Sequence, residues 1–220
     1  FGCPTRAIFI CLFSFFIMPV LNAVAAETAG FVERIKGEVT VTSEDGVRSI
    51  GKGDIIYVDD SILTGQGSRL IVQFNDGSKV TLGENAQIIV DELVYESANP
   101  DKSKQNQTID FVRGVYSYVS GQIAHLSYEN VVLRTPVATI GIRGTKFIGG
   151  ELTVGMPAGR SHIGFQIQEG SIEVLAPGGS VILDKPGEGT FLPLTKVAAP
   201  TPVKIWTPAI EQEAIDALAF

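Results

Sequence analysis

Few side chains in this sequence are of the types that catalyse reactions, and their spacing argues against their acting together. The two histidines, His125 and His162, stand in QIAHLSY and AGRSHIG. Neither has a second histidine or a cysteine at ligand spacing, so no zinc site is expected. Asp54, Asp59 and Asp60 in GDIIYVDD, with Asp91 and Glu92, are the carboxylates closest in sequence. Glycoside hydrolysis needs two carboxylates converging on one bond, whereas adjacent acids in a strand point to opposite faces. A calcium loop of the D-x-D-x-D-G kind is missing, as are the G-x-S-x-G elbow and a G-x-G-x-x-G between strand and helix. The chain is therefore expected to be no enzyme and to use no metal and no cofactor.

Two other groups could work by contact. Tyr116 and Tyr118 alternate with Val115 and Val119 in GVYSYVSG. Turned outward they would be surface contacts, able to stack on a glycan or grip a partner; turned inward they belong to a strand covered on both faces. Arg143, in LRTPVATIGIRGTKF, carries five donors in a planar fork. That fork either pins the fold's own carbonyls or carboxylates, or anchors a partner.

The elements that would position these residues read as strands. Val39 and Val41 alternate with threonines. Leu70, Val72 and Phe74 precede Asn75-Asp76-Gly77-Ser78, and Val80 and Leu82 follow it. Asp-Gly between two alternating runs is a hairpin signal. Further runs at 87–95, 108–121, 130–149, 164–177 and 179–194 are rich in Val, Ile, Thr, Tyr and Phe, which suit a half-buried pleated surface. Glycine opens several of these runs without a fixed period. The expected fold is all-β, with short Gly-punctuated strands forming a solenoid-like roll or sandwich, and a short C-terminal helix in PAIEQEAIDALAF. Residues 96–107 are expected to form an exposed loop and 194–204 a Pro/Ala-rich linker.

The N-terminus reads as an export signal over residues 1–26. Arg6 precedes the apolar run AIFICLFSFFIMPVL, and Ala23, Ala25 and Ala26 provide small residues for cleavage. The run is shorter than the roughly 18 apolar residues of a spanning helix, so no membrane span is expected after cleavage, and the mature chain is placed in the periplasm or secreted. Both cysteines, Cys3 and Cys11, leave with the signal. Losing Arg6 takes the formal charge from −7 to −8, which disfavours nucleic acid as a partner.

The segment Thr135-Pro136-Val137-Ala138-Thr139-Ile140-Gly141-Ile142-Arg143-Gly144-Thr145 resembles the signature of the FecR-type periplasmic domain. GDIIYVDDSILTGQGSRLIVQFNDGSKVTLGENAQIIV upstream and FQIQEGSIEVLAPGG downstream resemble its other conserved parts, so the likeness covers residues 31–194. The alternation places Ala138, Ile140 and Ile142 on an inward face and Thr139, Gly141 and Arg143 outward. Pro136 is expected to start a strand or sit at an edge, and Arg143-Gly144-Thr145 to turn the chain with Gly144 at positive φ. The motif residues Thr135, Pro136, Ala138, Gly141, Arg143, Gly144 and Thr145 are thus structural or partner-binding. The resemblance implies a non-catalytic domain that binds or senses an envelope protein or a cell-wall glycan. Its alternative implication is a component of cell-surface signalling, with a sigma regulator and a TonB-dependent receptor, acting through a separate membrane partner. The remaining residues, 195–220, are expected to be the linker and the terminal helix.

Overall fold

Among the described residues the alternating runs become sixteen strands. A computed structural model describes residues 26–97, 104–155, 161–194 and 198–220. The first half holds β1 (Thr28–Lys36), β2 (Val39–Ser43), β3 (Gly46–Ser49), β4 (Ile55–Tyr57), β5 (Ser61–Thr64), β6 (Arg69–Phe74), β7 (Lys79–Leu82) and β8 (Gln87–Val94). The second holds β9 (Asn106–Arg113), β10 (Val115–Val119), β11 (Val131–Arg134), β12 (Thr139–Leu152), β13 (His162–Ala176), β14 (Gly179–Leu183), β15 (Glu188–Pro193) and β16 (Lys204–Ile205). Two helices, α1 (Gln122–Leu126) and α2 (Pro208–Leu218), complete the described chain.

All the strands belong to one sheet, ordered β3-β2-β5-β8-β9-β11-β12-β10-β7-β6-β1-β4, with β13 paired to β12, β14 and β15, and β16 to β15. The pairings are antiparallel except β9 with β11. The sheet curls into an open half-barrel, so inward residues from its two ends meet. Val41, Ile62 and Ile88 share one core with Leu70, Val72 and Phe74. Burying side chains of this size stabilises by about 1.5–3 kcal/mol each before entropy is set against it. The long pair β12–β13 forms the spine, in register from Thr139↔Leu175 to Leu152↔His162.

The seam between the end strands β3 and β4 is bridged by one side chain. The Arg48 guanidinium pairs with the buried Asp60 and donates to the Ile55 carbonyl at 3.3 Å. A β-edge carbonyl is thereby taken up rather than left open.

Three expectations change. Asn106 and Gln107 lie in β9 rather than in a loop, and Gln107 is fully buried. Its amide is satisfied there: Tyr118 Oη donates to Gln107 Oε1 at 2.6 Å, and Gln107 Nε2 to Ser78 Oγ at 2.8 Å. The stretch 198–206 is docked rather than a free tether, since the Thr190 hydroxyl donates to the Thr201 carbonyl at 2.7 Å and Trp206 is buried. The helix α1 stands where no helical period is visible, because five residues are too few to show one. The C-terminal helix forms as expected, with Pro208 at its start and Ala214 buried against Ile148, Leu152 and Trp206. The signal-peptide expectation falls on residues outside the described ones, apart from Ala26.

Candidate functional site

The Thr135–Thr145 segment makes three local structures in succession. Thr135 to Ala138 is the turn between β11 and β12, so Pro136 sits in a turn and neither starts a strand nor lies at an edge. Its fixed φ suits such a turn. The Thr135 Oγ1 accepts the Ala138 N–H at 3.0 Å and donates to the Ala138 carbonyl at 2.9 Å, closing the turn through a side chain. From Thr139 the strand alternates: Ile140 and Ile142 are buried, whereas Gly141 and Arg143 are exposed. Ala138 is also buried.

At Gly144 the expected turn is instead a β-bulge inside β12. The register with β13 slips between Arg143↔Ser171 and Lys146↔Glu169, and Gly144 has φ +57°. The bulge turns Thr145 inward, where its backbone exchanges bonds with Ser120. The Thr145 N–H donates to Ser120 Oγ and the Ser120 N–H to the Thr145 carbonyl, both at 2.9 Å.

The outward residues of the motif floor a groove of about 410 Å³. Thr139, Gly141 and Arg143 lie along it. Ser171 and Glu173 of β13, Ile182 of β14, and Tyr128 and Glu129 of the 3-10 turn Tyr128–Asn130 form its walls. A Cβ at position 141 would meet only Glu173, at an ordinary 3.8 Å. Folding therefore does not require glycine there, and the space above Gly141 opens into the groove rather than admitting a neighbouring backbone. The Arg143 guanidinium lies 5.6 Å from the centre of the Tyr128 ring, a cation–π contact. Among the described residues it has no ion pair and no hydrogen bond, so its five donors are not spent on the fold.

Of the motif residues, the structure brings Gly141 and Arg143 into the groove. Thr135, Pro136, Ala138, Gly144 and Thr145 shape the strand that presents them. Tyr128, Ser171, Glu173 and Ile182 were missed by sequence reasoning. The outward alternation of Ser171 and Glu173 in GSIEVL is the signal that could have found two of them.

Tyr116 and Tyr118 are not surface contacts. They are 2% and 0% exposed, because β10 turns them into the core, where Tyr116 stacks on Phe111 and both approach Phe147. Burial raises both hydroxyl pKa values, and at Tyr118 the charge of Asp76 adds to the rise. The acids are dispersed too. Asp54 accepts the Gly51 N–H in a turn, Asp59 has φ +67°, Asp60 is buried on Arg48, and Asp91 pairs with Arg134. No group of three or more His, Cys, Asp or Glu among the described residues could hold a metal ion. His162 lies at the far end of β13, its ring 4.3 Å from Phe191.

Comparison with known proteins matches residues 60–173, just over half of the chain and including the whole motif, to the family described as FecR protein. The chain belongs to the FecR family. No curated protein matches it. Two crystal structures of a candidate anti-sigma factor from Parabacteroides distasonis are similar to it over 63% of this chain, at 16% identity and a TM-score of 0.45. The chain spans 57% and 56% of the length of those two structures. A protein described as a cell surface anchoring domain is 32% identical over 28% of this chain and 82% of its own, at a TM-score of 0.27. In this FecR-family chain no helix among the described residues is long and apolar enough to cross a membrane.

Proposed function

We propose that this chain is a non-catalytic, partner-binding module of a periplasmic signalling system, and that its partner docks in the groove over the motif. The observation that carries the reading is Arg143: a fork of five donors, held among the described residues only by the Tyr128 ring, on the same strand face as a glycine that the fold does not need. Exposed donors kept off the fold's own acceptors are available to a partner. The dispersal of acids and histidines supports a role without catalysis. Family membership supports signalling through a separate membrane partner, and the apolar segment ahead of Ala23 supports export.

A cell-wall glycan fits this groove less well than a protein. Sugar rings stack on open aromatic faces, and the aromatic ring of the groove, Tyr128, is already engaged by Arg143.

The test is site-specific photocrosslinking in intact cells. A photoreactive phenylalanine analogue replaces Thr139 in the groove or, as a control, Val47 on the remote strand β3. The reading expects one membrane signalling protein captured from position 139 and not from position 47. Equal capture from both sites, or none from 139, would overturn it.

A further inference from the structure

We propose that the groove receives a peptide segment with a single carboxylate flanked by apolar residues, the carboxylate on Arg143. This inference rests on the docking face proposed above and names the chemistry of what docks there.

Among the described residues the groove holds one cation. Arg143 is exposed, and its contact with Tyr128 is to the ring, 5.6 Å from the ring centre, with no hydrogen bond between the two side chains. A planar guanidinium fork matches a carboxylate in bidentate geometry. Two acids, Glu129 and Glu173, also line the groove, and neither is ion-paired among the described residues. They limit how much negative charge the groove accepts. One carboxylate is compensated by Arg143, whereas a dianionic phosphate would bring a second charge against two like charges. The acids also offer acceptor oxygens to the N–H groups of a peptide backbone.

The wall also carries an apolar side chain, Ile182. Ile182 is 59% exposed at the groove and Leu175, one strand over, 53%. Strand pairing sets Ile182 opposite Glu173 and Leu175 opposite Ser180, so the two apolar side chains share the outer face as diagonal neighbours. They form a strip running away from Arg143 along β13 and β14. A ligand with a carboxylate at one end of its contact and apolar side chains at the other complements both features. A second copy of the chain offers less: its uncharged edge strand β14, GSVIL, would cover the apolar strip and leave Arg143 without an anion.

The experiment selects random heptapeptides displayed on phage against the full-length chain purified from the cell envelope. An enriched peptide is resynthesised in three forms: as selected, with its acid changed to the amide, and with a phosphoserine in place of the acid. Enriched peptides should share one Asp or Glu beside apolar residues. The amide and phosphoserine forms should each bind at least about ten-fold more weakly, which is about 1.4 kcal/mol. In Arg143→Ala the acid and amide forms should bind equally. In Gly141→Leu, which fills the groove, binding should vanish with the melting temperature unchanged.

Enrichment without an acid, a retained acid preference in Arg143→Ala, tighter binding of the phosphoserine form, or a wild-type dimer by sedimentation would each overturn the inference. Should Gly141→Leu fail to fold, Arg143→Ala decides, because that side chain is exposed. If position 139 captures a partner while the peptides show no acid preference, the ligand class fails and the docking face stands. If position 139 captures nothing, the docking face itself fails.

Discussion

The carbonyl oxygen of Gly144 occupies the space that a Cβ on Gly170 would need. The two glycines face one another where β12 bulges against β13, with φ of +57° and +75°. Their costs on substitution therefore differ. Gly170→Ala must push backbone against backbone and adopt an unfavourable φ, for a loss of about 3 kcal/mol. Gly144→Ala meets no atom within 4 Å and pays only for its φ, about 1 kcal/mol. At about 2–4 °C per kcal/mol for a chain of this size, the melting temperature should fall by roughly three times as much for Gly170→Ala. Equal losses would mean that the bulge is not built as described.

The Arg48 bridge is expected to matter for stability more than a surface ion pair would. Asp60 is 1% exposed, and its carboxylate also accepts the Tyr57 N–H at 2.9 Å. Arg48→Ala leaves that buried charge without its cation, at a cost of about 2–4 kcal/mol in urea unfolding. Arg48→Ala combined with Asp60→Asn should recover part of the loss. A double variant that loses the full sum of the single ones would show that the two groups are not coupled.

The two core tyrosines should respond in opposite ways to loss of the hydroxyl. Tyr118 donates to Gln107, which in turn bonds Ser78, so Tyr118→Phe orphans a buried acceptor and should cost about 1–2 kcal/mol. The Tyr116 hydroxyl is buried without a partner among the described residues, so Tyr116→Phe should be neutral or stabilising by up to about 1 kcal/mol. Denaturant melts of the two variants check the order.

The same tyrosines predict an alkaline limit. Their pKa values are raised in the fold, so above about pH 10 the unfolded chain releases these protons first. Stability is fully present below that pH and falls as pH rises through it. The Tyr116→Phe variant should lose stability less steeply between about pH 10 and 11. An unchanged slope would contradict the burial argument.

At the other end of the pH scale, the docking of α2 should weaken in acid. Burial holds the His162 imidazole below its ordinary pKa, against the opposing charge of Glu213. Burial pushes the Glu213 carboxyl up, but bonds from the Thr153 hydroxyl and the Thr153 and Val154 N–H groups outweigh it, and the carboxyl ends below its ordinary value. Both depressed values contribute stability that is present above the unfolded pKa and lost as pH falls through it, near 6.5 for His162 and near 4.3 for Glu213. Trp206, the one tryptophan in the sequence, stacks on Phe191 beside His162 and packs against Ala214 of α2. Its emission should shift as the pH drops from about 7 to 4, and His162→Gln should remove the upper part of that shift. An unshifted emission over that range would show that α2 is held without these groups.

The sequence by itself determined what depends on neighbours along the chain. Which residues of a strand face inward follows from a two-residue period, so the split between Ile140 and Ile142 on one side and Gly141 and Arg143 on the other was legible. So were the all-β class and, through the Thr135–Thr145 motif, the family. Register and curvature are properties of strands distant in sequence, and only the tertiary structure decided what rests on them. The inward turn of Tyr116 and Tyr118 needed the sheet to curl over β10. The burial of Gln107 in a stretch that reads as loop needed Tyr118 and Ser78 as its partners. The groove needed Tyr128, Glu173 and Ile182, from three separate segments, to be set around Arg143. That the Arg143 fork is left unspent is likewise a tertiary fact, because it depends on which acceptors the folded chain brings within reach.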